Sequence, residues 1–199
     1  MINPIEVHPF GPFLPQNTKV LMFGYFPTPK ENRTMDFYYS SSTNEMWEML
    51  GAIFFNDEKH FIKPASKKVY DQSKIEEFLR EKGIGLYDVV TIAHRKEKGA
   101  ADKKNPCVQA TDFKALLEFV PDCKALFILG KGEPAKIVNE QFSIKLSKIG
   151  DSAELEKITI YCLPSSSRET QKSGLWTREN KIQLYKEKFQ EIGLLGSVK

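Results

Sequence analysis

The stretch KVLMFGYFPTP, residues 19–29, is the most informative in the chain. Residues 19–24 form a short apolar run that closes on Gly24, and Pro27 and Pro29 stiffen the loop after it. A run that is apolar at successive positions fits a strand buried on both faces, as in a parallel sheet covered by helices. Further along, residues 86–92 (LYDVVTI), 125–130 (ALFILG) and 158–163 (ITIYCL) repeat the pattern. Between and after them, residues 44–54, 73–80, 111–119, 133–142 and 178–192 carry apolar side chains at helical spacing. Strand and helix taking turns predicts a single α/β domain over residues 1–199. The expected architecture is three-layer α/β/α with a central, mostly parallel four-stranded sheet.

Composition narrows the function classes. At 199 residues the chain suffices for one sizeable core. Its 14 Phe, 7 Tyr and 2 Trp rule out intrinsic disorder. No apolar run approaches the roughly 18–20 residues that span a bilayer, so no membrane partner is expected. Residues 1–10 lack the basic start and apolar core of a secretory leader. Cys107, Cys123 and Cys162 are too few and too dispersed for a disulfide framework, and no pair has zinc-ligand spacing. The expectation is a cytoplasmic protein with no metal and no cofactor.

The net charge of +3 is small, but it is uneven. Residues 168–199 carry an excess of +3, and so do residues 94–104 (HRKEKGAADKK), where Arg95, Lys96, Lys98, Lys103 and Lys104 face only Glu97 and Asp102. Such segments are either solvated surface or phosphate contacts.

In open parallel sheets the ligand sits beyond the carboxyl ends of the strands. The loops placed there are residues 25–42, 93–107, 131–132 and 164–174; loops of the opposite rim, such as 145–157, are plainer. The first rim loop carries Phe37, Tyr38 and Tyr39, then Ser40 to Asn44 leading into a helix. Ser42 and Glu45 have capping-box spacing, which puts Asn44 in the first helical turn near unpaired N–H groups. The three aromatics either close the core or line a flat pocket for a base. The last rim loop, LPSSSRETQKSGLWT, holds Ser165, Ser166 and Ser167 with Arg168 behind them, and ends at Thr177, the expected cap of the final helix. It reads either as a solvated linker or as amides and hydroxyls suited to an anion. His8, His60 and His94 are isolated in sequence and fit surface or core positions, His94 alone falling on the rim. Asp88 reads as a polar residue satisfied near its strand's end, with water positioning as the other option. The segment 130–134 (GKGEP) lacks a full phosphate-loop pattern, and no Gly-x-Ser-x-Gly elbow exists.

Taken together, the two loops resemble the uracil-DNA glycosylase superfamily, nearest to the hypoxanthine-DNA glycosylases and their mismatch-specific relatives. A strand followed by Gly24-Tyr25-Phe26-Pro27 is similar to that branch's Gly-Ser-Phe-Pro. Tyr38-Tyr39 and Asn44 with Trp47 resemble its Tyr-Tyr-x-His-Pro-Arg-Asn-x-Phe-Trp. Residues 83–104 resemble its Gly-x-x-Leu-x-Asp-Val stretch, and Leu163-Pro164-Ser165-Ser166-Ser167 its final loop. The likeness runs from about Val20 to Phe189. It implies hydrolysis of the N-glycosidic bond of a flipped-out deaminated base, hypoxanthine or uracil, by a metal-free, monofunctional, monomeric enzyme acting on damaged duplex or single-stranded DNA. Asn44 would be the catalytic residue; Gly24, Tyr25, Phe26, Pro27, Tyr39 and His94 would bind the base; Ser165, Ser166, Ser167, Arg168 and Lys172 would hold the DNA backbone. An amide is no general base at neutral pH, but it can orient water or donate to the departing base.

The sequence also departs from the pattern. Phe26 stands where uracil-specific enzymes carry a water-activating acid, Ser41-Ser42-Thr43 replace His-Pro-Arg, and Arg168-Glu169-Thr170 replace Pro-Ala-Asn. The alternative is a non-catalytic nucleic-acid or nucleotide-binding module that retains the fold. A third reading is a small-molecule binder on a flavodoxin-like scaffold. Leu175 and Trp176 separate the first two: an exposed wedge beside the serine loop favours base extrusion.

Overall fold

The computed structural model describes residues 4–66, 68–95 and 105–196, without the side chains of Lys172 and Ser173. In chain order the described elements are β1 (Ile5–Val7), β2 (Val20–Gly24), α1 (Met46–Phe55), α2 (Gln72–Lys82), β3 (Ile84–Asp88), β4 (Val90–His94), β5 (Cys107–Ala110), α3 (Phe113–Glu118), β6 (Ala125–Leu129), α4 (Glu133–Phe142), β7 (Ser152–Leu155), β8 (Ile158–Leu163) and α5 (Arg178–Glu191). The main sheet has the order β3-β2-β6-β8-β7, and its first four strands are parallel. The expected count of four strands is therefore corrected to five. The added strand, β7, lies antiparallel on β8 in a hairpin. Its residues alternate exposed and half-buried on an edge, so they lack the continuous apolar run that marks the central strands.

Side chains of successive strand residues point to opposite faces, and this divides the core into two. Val20 and Met22 of β2, with Phe127 and Leu129 of β6, pack beneath α1, α2 and α5 around Trp47, Phe78 and Phe189. Leu21 and Phe23, with Leu126 and Ile128, pack beneath α3 and α4 around Phe113 and Val138. All five positions of β2 and of β6 are buried, which is why both read as unbroken apolar runs.

A second correction concerns residues 86–92, expected as one strand. The chain leaves the main sheet after Asp88, and β4 joins a separate antiparallel sheet of order β1-β4-β5. The break occurs because the Val89 and Val90 amides donate to the carbonyls of Gly24 and Tyr25, while Val89 O accepts from Thr111 N. Both halves are buried, so the apolar run continues across a change of hydrogen-bond partner. Asp88 is thereby placed at the carboxyl end of β3, level with Gly24 of β2 in the parallel register.

Candidate active site

The chain order of the parallel strands reverses between β2 and β6, and the crevice beyond their carboxyl ends is the position open sheets offer a ligand. Gly24 closes β2 there. A Cβ on Gly24 would lie 2.4 Å from Asp88 Oδ1 and 3.3 Å from Tyr39 Cε1. Only glycine leaves room for the carboxylate and the ring to meet over the backbone. Tyr39 adopts a positive φ of 52°, and its ring lies 6.3 Å from that of Tyr38 and 6.0 Å from that of Trp47. Phe37 and Tyr38 are buried in the core, Phe37 stacked near Trp47 and Tyr38 donating its hydroxyl to Gly11 O at 2.8 Å. Of the three loop aromatics, two close the core and Tyr39 borders the crevice. The Tyr39 hydroxyl is buried beside the Gly24 backbone. Burial first, then the Asp88 charge, pushes this phenol well above its ordinary range.

Asp88 is itself buried, and its Oδ2 lies 3.0 Å from His8 Nε2. His8 comes directly after β1, and its main chain is pinned by donation of its N–H to Thr91 O. The pair spans 80 residues, and nothing near His8 in sequence announces it. The pairing depends on β1, and residues 1–10 carry no pattern that marks an element.

The two loops singled out by sequence are physically joined. Asn44 and Ser167 form an isolated antiparallel bridge, closed by Glu45 N to Ser166 O at 2.9 Å and Arg168 N to Thr43 O at 3.0 Å. The expected Ser42–Glu45 capping box is not formed. Instead Asn44 Oδ1 accepts from Met46 N at 2.9 Å, serving the unpaired N-terminus of α1. That commits the amide oxygen and leaves the Nδ2 donors of Asn44 without a partner among the described residues. Ser166 is buried, Ser165 and Ser167 are half-buried, and Ser167 caps the 3-10 helix Arg168–Ser173 by accepting from Glu169 N.

Beneath this bridge lies a charge cluster. Glu45, almost fully buried, accepts from Arg178 Nη2 at 2.8 Å and Nε at 3.0 Å, from Gln171 Nε2 at 2.6 Å and from Arg168 Nε at 3.2 Å. Lys181, whose side chain has no exposed surface, places Nζ 2.9 Å from Ser167 O and 3.5 Å from Glu45 Oε2. Glu48 pairs with Lys68 at 2.8 Å and Arg168 at 3.5 Å, and accepts from the Tyr70 hydroxyl at 2.6 Å. Burial alone would raise the Glu45 carboxyl, but Arg178, Lys181 and Arg168 together hold it below the usual range. The cluster carries more cations than carboxylates, directly under the serine loop.

The remaining expected site residues have varied surroundings. Phe26 is buried, edge-on to His8, with the Arg95 guanidinium 5.2 Å from its ring centroid. Pro27 O accepts from Arg95 Nη2 at 2.9 Å. Tyr25 donates its hydroxyl to Asn105 O and lines an open cleft of about 630 Å³ with Cys107, Ile137 and Gln141. His94 sits opposite Ile5 in the antiparallel sheet and makes no hydrogen bond or ring contact with the first rim loop; its neighbour Arg95 does. Arg168 is half-exposed but committed to Glu45 and Glu48. Lys172 has a side chain outside the described residues, as are Lys96 to Lys104. Leu175 is 65% exposed just after the 3-10 helix, and Trp176 is half-buried beside it. Thr177 caps α5, as expected. Among the described residues no cluster of His, Cys, Asp and Glu is placed to hold a metal, and no helix is long and apolar enough to cross a membrane.

No protein-family profile and no curated protein matches the chain. Solved structures do. The solution NMR structure of a "putative Uracil DNA glycosylase" from Methanosarcina acetivorans aligns over 95% of this chain and 99% of its own, at 22% identity and a TM-score of 0.63. The chain thus shares the fold of that structure, an α/β protein whose main sheet here has five mostly parallel strands.

Proposed function

We propose that this protein is a DNA glycosylase that hydrolyses the N-glycosidic bond of a flipped-out deaminated base, hypoxanthine or uracil, and leaves an abasic site. The reading carries with it a single domain over residues 1–199, a monomer, a cytoplasmic location and no cofactor. The observation that supports it is the bridge between Asn44 and Ser167, which joins the segment before α1 to the serine turn that follows β8, on the same rim of the sheet as Gly24 and Asp88. The fold shared with the Methanosarcina acetivorans protein supports it.

In the reaction the C1′–N bond breaks, its electron pair leaves with the base, and water adds to the oxocarbenium-like sugar while losing a proton. A donor aimed at the departing base therefore lowers the barrier. Asn44 supplies one through Nδ2, because Oδ1 is committed to Met46 N. Asp88 Oδ1, over Gly24, accepts from the ring N–H that hypoxanthine and uracil possess and that adenine and cytosine lack. Tyr39 closes the pocket's other side. The serine loop receives the backbone, its phosphates drawn by the cationic cluster beneath. Leu175 is the side chain placed to fill the gap a flipped nucleotide leaves.

The non-catalytic reading draws on two observations: Phe26 is buried, and Arg168 is committed internally. One experiment separates the readings. Labelled duplexes containing a single uracil, hypoxanthine or xanthine are incubated with excess wild type or Asn44→Ala, and abasic sites are read as strand breaks after alkali. Breaks with one lesion, lost in Asn44→Ala, establish the enzyme and its substrate. Breaks that persist in the variant remove Asn44 from the centre. No breaks with any lesion, alongside binding that weakens with salt, establish the binding module.

A further inference from the structure

We propose that His8 is a positioning residue of this pocket, fixing the orientation of the Asp88 carboxylate. The inference rests on the glycosylase reading. Both side chains are sealed from solvent, at 2% and 6% exposure, so the 3.0 Å contact between Nε2 and Oδ2 is not shared with bulk water. An ionised carboxylate only accepts, so Nε2 carries the proton and the Oδ2 bond turns Oδ1 toward Gly24.

The other ring nitrogen is placed unusually. His8 Nδ1 lies 2.7 Å from Phe10 O and 3.1 Å from Phe10 N. Both ring nitrogens are therefore engaged, Nε2 by Asp88 and Nδ1 by the Phe10 backbone. The rings of Phe10, Phe26, Tyr38 and Tyr87, with centroids 5.0–5.9 Å away, hold the imidazole in that position.

That hold matters to the reaction, because Asp88 Oδ1 meets the ring N–H of the base only in the orientation that the Nε2 bond sets. The phenols of Tyr38, Tyr39 and Tyr87 face the pair. One ring further out, Arg33 lies over Phe10 and Arg95 over Phe26, with Glu6 paired to Arg95. Among the described residues His8 is the one basic side chain in contact with Asp88.

The test is single-turnover excision of the lesion that wild type cleaves, with His8→Gln and His8→Phe. The Gln amide keeps a donor to Asp88; Phe keeps the ring and loses the donor. His8→Phe loses about 10–100-fold in rate, the scale of one hydrogen bond to a charged group, with affinity for an abasic duplex unchanged. His8→Gln recovers most of that rate. Coincidence of His8→Phe with wild type, or an equal loss in both variants, overturns the inference alone. If His8→Phe fails to fold, His8→Ala is measured with Asp88→Ala and the double variant: non-additive losses are expected and additive ones overturn the inference. A wild type that releases no base removes the glycosylase reading, and this inference with it.

Discussion

Glu45→Gln removes one negative charge from the cluster under the serine loop while preserving side-chain shape. Four groups lose their counter-charge or part of their hydrogen bonding: Arg178, Arg168, Gln171 and Lys181. Arg168 is half-exposed and water compensates it, so its share is discounted. Lys181 has no exposed side-chain surface, so solvent cannot rescue it, whereas Arg178, 24% exposed, keeps Glu58 at 2.7 Å as a second counter-charge. Breaking a buried pair by removing one partner costs about 3–5 kcal/mol, because the other charge stays buried. In a domain of this size 1 kcal/mol moves Tm by about 2–4 °C, so the expected drop is about 6–20 °C by calorimetry. Glu45→Gln combined with Lys181→Met should recover a large part of it, since the stranded ammonium is gone. A drop below about 2 °C at neutral pH would refute the reasoning, because it would mean the cations are solvated after all. The pH dependence gives a second check. Arg178, Lys181 and Arg168 hold the Glu45 carboxyl below its unfolded value against the opposing effect of burial. The folded state therefore binds fewer protons, and the stabilisation is complete above the unfolded value and lost as pH falls through the lower, folded one. Wild type should lose Tm on acidification below about pH 4, and Glu45→Gln should lose less over the same window.

The crevice yields two further expected outcomes. Gly24→Ala sets a methyl 2.4 Å from Asp88 Oδ1 and should destabilise by about 1–3 kcal/mol, measured by urea unfolding, while displacing the carboxylate and cutting base excision more than the loss of folded protein explains. Leu175→Ala touches an exposed side chain and should leave unfolding free energy within about 0.5 kcal/mol of wild type, yet lower excision from duplex more than from single strand, where no stacked gap needs filling.

Most of the layered core was legible because β2, β6 and β8 are apolar along unbroken runs and α4 keeps helical spacing from Glu133 to Phe142. What was not legible involved partners rather than elements. The switch at Asp88 leaves no mark on hydrophobicity, since both sides of it are buried. Edge strand β7 has no run to recognise, and β1 is three residues long with its apolar Ile5 and Val7 exposed. At the site, the pairing of the Asn44 and Ser165–Ser167 loops could be suspected from their places at strand ends, and the structure joins them. The bond from Met46 N to Asn44 Oδ1 could not, because Ser42 offered the same chemistry at better spacing. His8 with Asp88 and Glu45 with Arg178 were invisible for one reason: a side-chain pair 80 or 133 residues apart has no local signature.

Those separations bear on how the protein comes into being. Glu45 leaves the ribosome 133 residues ahead of Arg178, a wait of roughly 7–27 s at ordinary rates of synthesis. Throughout it the acidic end of α1 has neither its guanidinium nor its lysine, and the serine turn that Asn44 must meet does not exist. Strand β1 waits likewise for β4. A growing chain can thus collapse β2 on β3 and bury Trp47 while still holding an unfinished crevice, and docking of α5 is the event that closes it.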